Sequence, residues 1–524
     1  MPASKRQYFK IVQTLHFDYA PVKVTQYEST RTGMRVVVVD QVGPKVNGYF
    51  ALATEIHDDS GAPHTLEHLC FMGSKNYQYK GLLDKLATRA YSTTNAWTAV
   101  EQTAYTLDSA GWDGFAQILP VYLEHVIVPT LTDAGCYTEV HHINGAGEDA
   151  GVVYSEMQGV QNRQEELMEL RARRLMYPEG NGFRYETGGM MEQLRVLTAD
   201  RIRAFHREMY QPKNLCLVLT GEVNHDELLH ILNDFEDTII EDVPSMDEPF
   251  KRPWTESKPT PRIAKTIVET VPFPEEDESM GEVLVGYLGP SCNDNLSCAA
   301  LGILLIYLCG SSISVLENTL VEKESLCSMI YYITDTRSDM TIWFTLSAVE
   351  TDKLQTVQQR LIELLKETAS QELDMSYLGD CIRRWRRQIK NRCENAGDFF
   401  ATPIIEDHLF GHRDGRDLKT LATLEELDTV ENWSEKQWRD FFSKWIADAT
   451  SISVLGQPSK ELSDKITADE KARVEAQQKK LGEEGMKQLA ERLKEAQEEN
   501  DRPIPDSLLE QFPVPEYVYL LRLL

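Results

Sequence analysis

Three residues within one short stretch have the types and spacing of a metal-dependent hydrolytic site. His64, Glu67 and His68 form the pattern H-x-x-E-H. Pro63 suits the first turn of a helix, and residues four apart on a helix share one face. Two imidazoles one turn apart can converge on Zn²⁺, and Glu67 beside them can take a proton from water and deliver it to a leaving amine. This order is that of the inverted zincin motif.

A tetrahedral catalytic zinc site needs a third protein ligand and one open position. Glu156 is a candidate, because it lies near the start of a predicted amphipathic helix over 151–176. A glutamate there can also be a surface residue that compensates the helix dipole, and the two histidines can equally be packed or capped. Asp59 or Ser60 is expected to cap the helix that carries the histidines.

Three motifs along the chain occur in the order seen in one peptidase family. They are Ser60-Gly-x-Pro-His-x-Leu-Glu-His-Leu-x-Phe-Met-Gly-Ser-Lys-x-Tyr, Asn95-Ala-Trp-Thr98 and Gly151-Val-Val-Tyr-Ser-Glu-Met-Gln-Gly159. Together they resemble the pitrilysin–insulysin family of zinc peptidases, and they are most similar to its presequence-protease and falcilysin-like branch. The resemblance covers nearly the whole chain.

The resemblance implies a role for each of these residues. His64, His68 and Glu156 would hold one zinc ion, and Glu67 would be the general base. The family also has an auxiliary acidic residue about two helical turns before the distal ligand, which points to Asp149. Glu148 is the neighbouring alternative, and a carboxylate in this position would orient a ligand and raise its basicity.

The second motif matches the family's edge strand, where substrate adds as an extra β-strand. Its residues are Asn95, Ala96, Trp97 and Thr98. The implied function is a zinc-dependent endopeptidase that hydrolyses short unfolded peptides in an enclosed chamber. The alternative is a non-catalytic or half-enzyme subunit that serves as a binding scaffold in a peptidase assembly. Full members have two halves, so a C-terminal half, on the same or a separate chain, is the implied partner.

The elements that would position these motifs indicate an α+β fold. Periodicity predicts strands at 34–40 and 49–56, paired with each other, then several helices and a closing strand at 215–219. A similar round follows, and its closing segment near 453 repeats the strand, glycine turn and helix start seen near 217. We therefore expect two homologous layered domains, each an antiparallel-rich sheet packed with helices, followed by a helical hairpin linker.

Composition along the chain suggests where the parts divide. The expected division is a catalytic zinc-binding domain over 1–240, an interdomain linker over 241–265, a second, non-catalytic homologous domain over 266–460, and a helical hairpin linker over 461–524 toward a missing C-terminal half. The first linker is rich in Pro and charged residues. The hairpin segment is rich in Glu, Lys, Ala and Gln, which favour helix.

Charge and cysteine content restrict the partners and the compartment. The 524 residues carry a formal net charge of −29, which argues against nucleic acid as a partner. The longest apolar run, 298–309, is shorter than the ~20 residues that a membrane span needs. Nine cysteines without C-x-x-C spacing indicate a reducing compartment. We expect a cytoplasmic location, with the mitochondrial matrix as the alternative because the N-terminal segment is basic.

Overall fold

The computed structural model describes residues 7–394 and 396–515. Residues 1–6 and 516–524, which belong to the predicted first domain and the predicted hairpin segment, lie outside the described residues. The strands, β1 to β14, are Phe9–His16, Lys23–Ser29, Arg35–Asp40, Val46–Ala53, Ser92–Thr98, Gln102–Ser109, His142–Ile143, Asp149–Ala150, Leu215–Gly221, Ile267–Pro274, Met280–Ser291, Met329–Asp335, Asp339–Glu350 and Ser451–Ser459.

The α-helices, α1 to α17, are Ala62–Cys70, Leu82–Arg89, Trp112–Ile127, Asp133–Glu139, Val152–Val160, Gln164–Met176, Met191–Leu194, Ala199–Met209, His225–Ile239, Asn295–Cys309, Leu354–Ser370, Met375–Arg392, Ala396–Phe410, Glu425–Glu431, Glu435–Phe442, Lys460–Asn500 and Asp506–Leu509. Helices packed on mostly antiparallel sheets confirm the predicted α+β class. Within the described ranges, no helix combines the length and apolar character needed to cross a membrane.

The first sheet has seven strands in the order β1-β2-β3-β9-β4-β6-β5. The predicted pairing of 34–40 with 49–56 is wrong, because β9 inserts between β3 and β4. β9 runs parallel to β3 and antiparallel to β4, and all seven of its residues are buried. A fully buried strand is most stable at the centre of a sheet, where both edges find hydrogen-bond partners.

The second sheet has five strands in the order β10-β14-β11-β13-β12. The closing strand β14 is parallel to β10 and antiparallel to β11, as β9 is to β3 and β4. The order β3-β9-β4-β6-β5 of the first sheet therefore recurs strand for strand. The two segments that look alike in the sequence, near 217 and 453, occupy equivalent central positions.

Each sheet is covered on one face by a helix from the other half of the chain. Helix α6 packs against β10, β11 and β14 of the second sheet, while α13 packs against β4 and β9 of the first. Met168 of α6 and Ile404 of α13 are both buried in the shared apolar cluster. The two sheets thus share a core that spans the predicted interdomain linker, and in that linker Trp254 stacks on Phe183 with ring centroids 4.1 Å apart.

One long predicted helix is interrupted, and the helix of the predicted hairpin segment also contains a break. The single helix expected over 151–176 is two helices, α5 and α6, because Arg163 has extended backbone geometry and starts α6 anew. Glu165 and Glu166 then lie in the first turn of α6, where the helix dipole favours acidic side chains. Helix α16 is broken by Gly482, whose φ of 61° and ψ of 179° are not helical.

Candidate metal centre and peptide-binding edge

Helix α1 carries the H-x-x-E-H pattern, and it begins where its backbone packs closely against another segment of the chain. Its N-cap is Gly61 with φ of 74°, and no side chain caps the helix through the usual hydrogen bond. The predicted capping role of Asp59 is wrong, because its carboxylate binds Arg174 and the backbone N–H of Glu186. A β-carbon on residue 61 would lie 2.7 Å from the carbonyl oxygen of Gly188, so the turn requires glycine.

The structure brings the three predicted metal ligands together. On α1, the Nε2 atoms of His64 and His68 lie 3.3 Å and 3.5 Å from Oε2 of Glu156 on α5. One candidate ligand atom from each residue lies within 4.8 Å of the other two. The histidine side chains are 17% and 21% exposed and that of Glu156 is 51% exposed, so the cluster is open to solvent on one side.

These positions fit a zinc ion. Two ligand atoms each about 2.05 Å from a tetrahedral centre lie about 3.3 Å apart, close to the separations between the carboxylate and each imidazole. The Nδ1 atom of His64 lies 3.4 Å from the carbonyl oxygen of Gly188, a contact that turns Nε2 toward Glu156. Burial and the nearby His64 lower the pKa of His68, which favours the neutral imidazole that metals bind.

Glu67 lies beside the cluster and contacts the predicted substrate strand. Its side chain is buried, and Thr98 at the end of β5 donates a hydrogen bond of 2.5 Å to its Oε2. Burial raises the pKa of Glu67, and the hydrogen bond from Thr98 opposes that rise. The carboxylate thus lies close to His64 and Glu156 without being one of the three candidate ligands.

The predicted peptide-binding segment is an edge strand. β5 pairs with β6 on one side only, and within the described ranges no strand covers its other edge. Asn95 and Trp97 are exposed, whereas Ala96 and Thr98 are partly buried. An open strand edge adjacent to Glu67 is a place where an extended peptide can add, and along it the backbone N–H of Ala96 donates to Oδ1 of Asn95.

Glu139, at the C-terminal end of α4, is a residue that the sequence analysis did not assign to the site. Its Oε2 lies 3.9 Å from Nδ1 of His68, and its Oε1 lies 3.4 Å from Nζ of Lys80. Burial raises the pKa of Glu139, and Lys80 opposes the rise. A carboxylate behind a ligating imidazole is the usual arrangement that fixes its tautomer and orientation. In the sequence, Glu139 precedes the adjacent histidines His141 and His142. This pattern alone does not connect Glu139 with His68.

Asp149 does not reach the candidate ligands. Among the described residues its side chain bonds with His141, Arg473 and Gln477, and Arg195 lies 3.6 Å away. Burial disfavours ionisation, but these hydrogen bonds outweigh it and hold the pKa of Asp149 well below its usual range. The auxiliary role of Asp149 therefore stays a prediction, since its side chain contacts none of the three candidate ligands, and the carboxylate next to His68 is that of Glu139.

The neighbouring alternative, Glu148, is also away from the cluster. It is exposed, and its carboxylate accepts a hydrogen bond from Asn144 within the same turn. Cys70, two residues after His68, is a buried thiol that accepts a hydrogen bond from Tyr105, and burial raises its pKa to about 12. All nine cysteines are free thiols.

Comparison with known proteins places both halves of the described fold in one family. Residues 53–171 match the profile described as insulinase, peptidase family M16, and residues 197–383 match that described as peptidase M16 inactive domain. An uncharacterised protein of Saccharomyces cerevisiae is 38% identical over 97% of this chain and 49% of its own length. Presequence protease 1 of Arabidopsis thaliana is 23% identical over 94% of this chain and 47% of its own length.

Solved structures share the fold. A protease from Helicobacter pylori superposes with a TM-score of 0.66 at 17% identity, covering 86% of this chain and all of its own. Pitrilysin superposes with a TM-score of 0.63 at 14% identity, covering 87% of this chain and 47% of its own. The chain spans about half the length of the curated relatives it matches. From the two profile matches and the similarity along nearly its entire length, the chain belongs to the pitrilysin-type M16 peptidase family.

Proposed function

We propose that this chain is the catalytic half of a zinc-dependent endopeptidase that hydrolyses short unfolded peptides. The observation that carries the proposal is the convergence of His64, His68 and Glu156, with Glu67 between this cluster and an open strand edge. A scaffold has no need for a buried carboxylate beside a metal site.

Each residue of the candidate site would have a separate role in the reaction. When bound by the two histidines and Glu156, zinc would polarise the scissile carbonyl and lower the pKa of the attacking water. Glu67 would accept a proton from that water as its oxygen bonds to the carbonyl carbon. It would then deliver the proton to the amide nitrogen as the carbon–nitrogen bond breaks. Thr98 orients the carboxylate throughout by its hydrogen bond to Oε2.

The edge strand β5 would hold the peptide. Backbone groups of Asn95, Ala96, Trp97 and Thr98 would pair with an extended chain, so selection acts on backbone conformation more than on sequence. Since Thr98 contacts Glu67, a peptide paired along β5 would pass directly by the general base. The remaining half found in the longer relatives would close the chamber around the peptide.

The decisive experiment removes the base and keeps the ligands. Glu67→Gln is expected to bind one zinc ion per chain but to lose cleavage of a quenched fluorescent peptide by at least about a hundredfold. Glu192→Gln, which alters an exposed acid of the same domain, is the control and should retain the wild-type rate. Both are assayed alone and mixed with the unmatched half of the Saccharomyces cerevisiae relative. Undiminished cleavage by Glu67→Gln would refute the assignment.

A second function is favoured by one observation. Residues 197–383 match the profile of the M16 inactive domain, which fits a chain that binds peptides or a partner without turnover. Zinc binding without cleavage, both alone and with the added half, would support this scaffold function. Chelator-sensitive cleavage in either condition would support the peptidase.

We further propose a cytoplasmic location, with the mitochondrial matrix as the alternative. None of the nine cysteines, which all lie within the described residues, is paired in a disulfide, which is compatible with either compartment. The presequence proteases among the relatives carry mitochondrial or chloroplastic in their names, which supports the alternative. Fractionation of cells with an antibody to this chain would decide between the two.

A further inference from the structure

The linker helix α16 contacts the segment that joins Glu139 and Glu156, two of the three acidic residues of the candidate site. This segment, 139–156, runs from Glu139 to Glu156 through the hairpin of β7 and β8. Gln478 of α16 donates to the carbonyl oxygen of Ala146, and Gln477 donates to that of Gly147. A β-carbon on residue 147 would lie 2.7 Å from Gln478, so the hairpin and the helix are in close contact.

Asp149 is the centre of this contact. Its side chain is 2% exposed, and its Oδ2 accepts hydrogen bonds of 2.6 Å from Arg473 and 3.1 Å from Gln477. On the other side, Oδ1 lies 2.6 Å from Nε2 of His141. A buried carboxylate shared by two segments fixes their relative position, because losing either partner leaves a polar group unpaired.

From Asp149 the contacts continue into the first turn of α5. The ring of His141 packs on Tyr154 with centroids 5.0 Å apart, and Arg195 donates a 2.7 Å hydrogen bond to the Tyr154 hydroxyl. Tyr154 is fully buried, and it precedes Glu156 by two residues on the same short helix. The start of α5 has no side-chain cap of its own, so these packed neighbours hold its position.

We propose that Arg473 is a positioning residue that, by holding Asp149, ties linker helix α16 to the start of α5 and so places Glu156 at the metal site. This inference rests on the metal role proposed above for Glu156. Helix α16 follows directly from β14 of the second sheet. The contact between Arg473 and Asp149 therefore links Glu156 to the helix that follows both sheets in the chain. A displacement of α16 would then weaken metal binding.

The test measures metal binding directly, using the whole 524-residue chain stripped of metal. Arg473→Gln is expected to lower zinc affinity about tenfold in competition with a chromophoric chelator, and to change the visible absorption of the Co²⁺-loaded protein. Arg473→Lys should restore much of both. Lys479→Gln removes one exposed charge from the same helix and should behave as the wild type. Gln477→Ala, a milder change, should lower zinc affinity about threefold.

The outcomes separate this inference from the proposed function. If the wild type binds zinc and folded Arg473→Gln and Gln477→Ala bind it equally tightly with an unchanged Co²⁺ spectrum, the positioning role is refuted and the peptidase proposal stands. A lower melting temperature with unchanged affinity in the folded state would refute it in the same way. If the wild type binds no zinc, both fail. Weaker binding in both variants, with partial rescue by Arg473→Lys, supports the positioning role.

Discussion

At the scale of single residues, the candidate site depends on carboxylates whose neighbours give them different tasks. Glu156 is half exposed and faces both imidazoles, whereas Glu67 is buried and hydrogen-bonded to Thr98. Glu139 is buried behind His68 and paired with Lys80. The same side chain can therefore bind a metal, transfer a proton or support a ligand, according to burial and partner.

Glu139 is expected to support the metal through His68. Glu139→Gln keeps the shape of the side chain but removes its charge, so we expect zinc affinity to fall about tenfold. The exposed Glu148→Gln, nine residues further on at the hairpin turn, serves as the control. Equal zinc affinities of the two variants in chelator competition would show that Glu139 does not act on His68.

Thr98 is expected to set the orientation of Glu67. Thr98→Val has nearly the same shape and loses the hydrogen bond, so we expect kcat to fall about tenfold while zinc affinity stays unchanged. Thr98→Ser, which keeps the hydroxyl, should recover most of the loss. An unchanged kcat for Thr98→Val would mean that the base is positioned by packing alone.

At the scale of elements, the candidate ligands lie on two short helices, each of which begins directly after a glycine. Helix α1 starts after Gly61 and α5 after Gly151, whose φ values are 74° and 133°. In both cases a β-carbon would overlap backbone atoms of a neighbouring segment. The ligand helices are thus placed by close backbone contacts.

Two glycines allow the effect of close contact to be separated from the effect of backbone angle. Gly61 and Gly81 are both N-cap residues, with φ of 74° and 73°, but only at residue 61 would a β-carbon meet other atoms. We expect Gly81→Ala to lower the free energy of unfolding by about 1 kcal/mol and Gly61→Ala by about 2–4 kcal/mol. Urea unfolding measures both values. Equal losses of unfolding free energy in the two variants would show that residue 61 does not pack tightly against residues 188–189.

At the scale of the whole molecule, the two sheets and their crossed helices border an open acidic cavity of about 710 Å³ that reaches Trp97 and Thr98 on β5. Its acidic residues outnumber its two arginines, and they are Glu101, Asp108, Glu166, Glu169, Glu186, Asp335 and Glu406. The net charge of −29 is therefore concentrated in part beside the peptide-binding edge. Such a cavity favours cationic side chains of a bound peptide.

We expect basic peptides to be cleaved faster than acidic peptides of equal length, with a ratio that falls toward one as salt rises from about 0.01 M to about 1 M. Glu166→Gln combined with Glu169→Gln should reduce the ratio at low salt. Equal cleavage rates for both peptides at low salt would show that the acidic charge does not select substrates and serves solubility alone.

The same preference should depend on pH in a defined direction. Burial, opposed by a hydrogen bond from Thr336 and aided by nearby Glu101, raises the pKa of Glu406 to about 7. Because Glu406 gains its negative charge as pH rises through about 7, the ratio of basic to acidic cleavage should increase from pH 6 to pH 8. The pH dependence of the catalytic groups is the same for both peptides, so it cancels in the ratio of their cleavage rates.

The local features of this protein follow from patterns among residues that are close in the sequence. The four-residue spacing of His64 and His68 requires only one helix, so it could be predicted from the residues alone. The edge strand β5 is predicted only because its motif resembles that of the family. Only the tertiary structure decided which distant groups meet, namely Glu139 with His68, Arg473 with Asp149, and β9 between β3 and β4. Helix and strand periodicity is set by neighbouring residues, whereas pairing across seventy or more residues depends on how all the elements pack together.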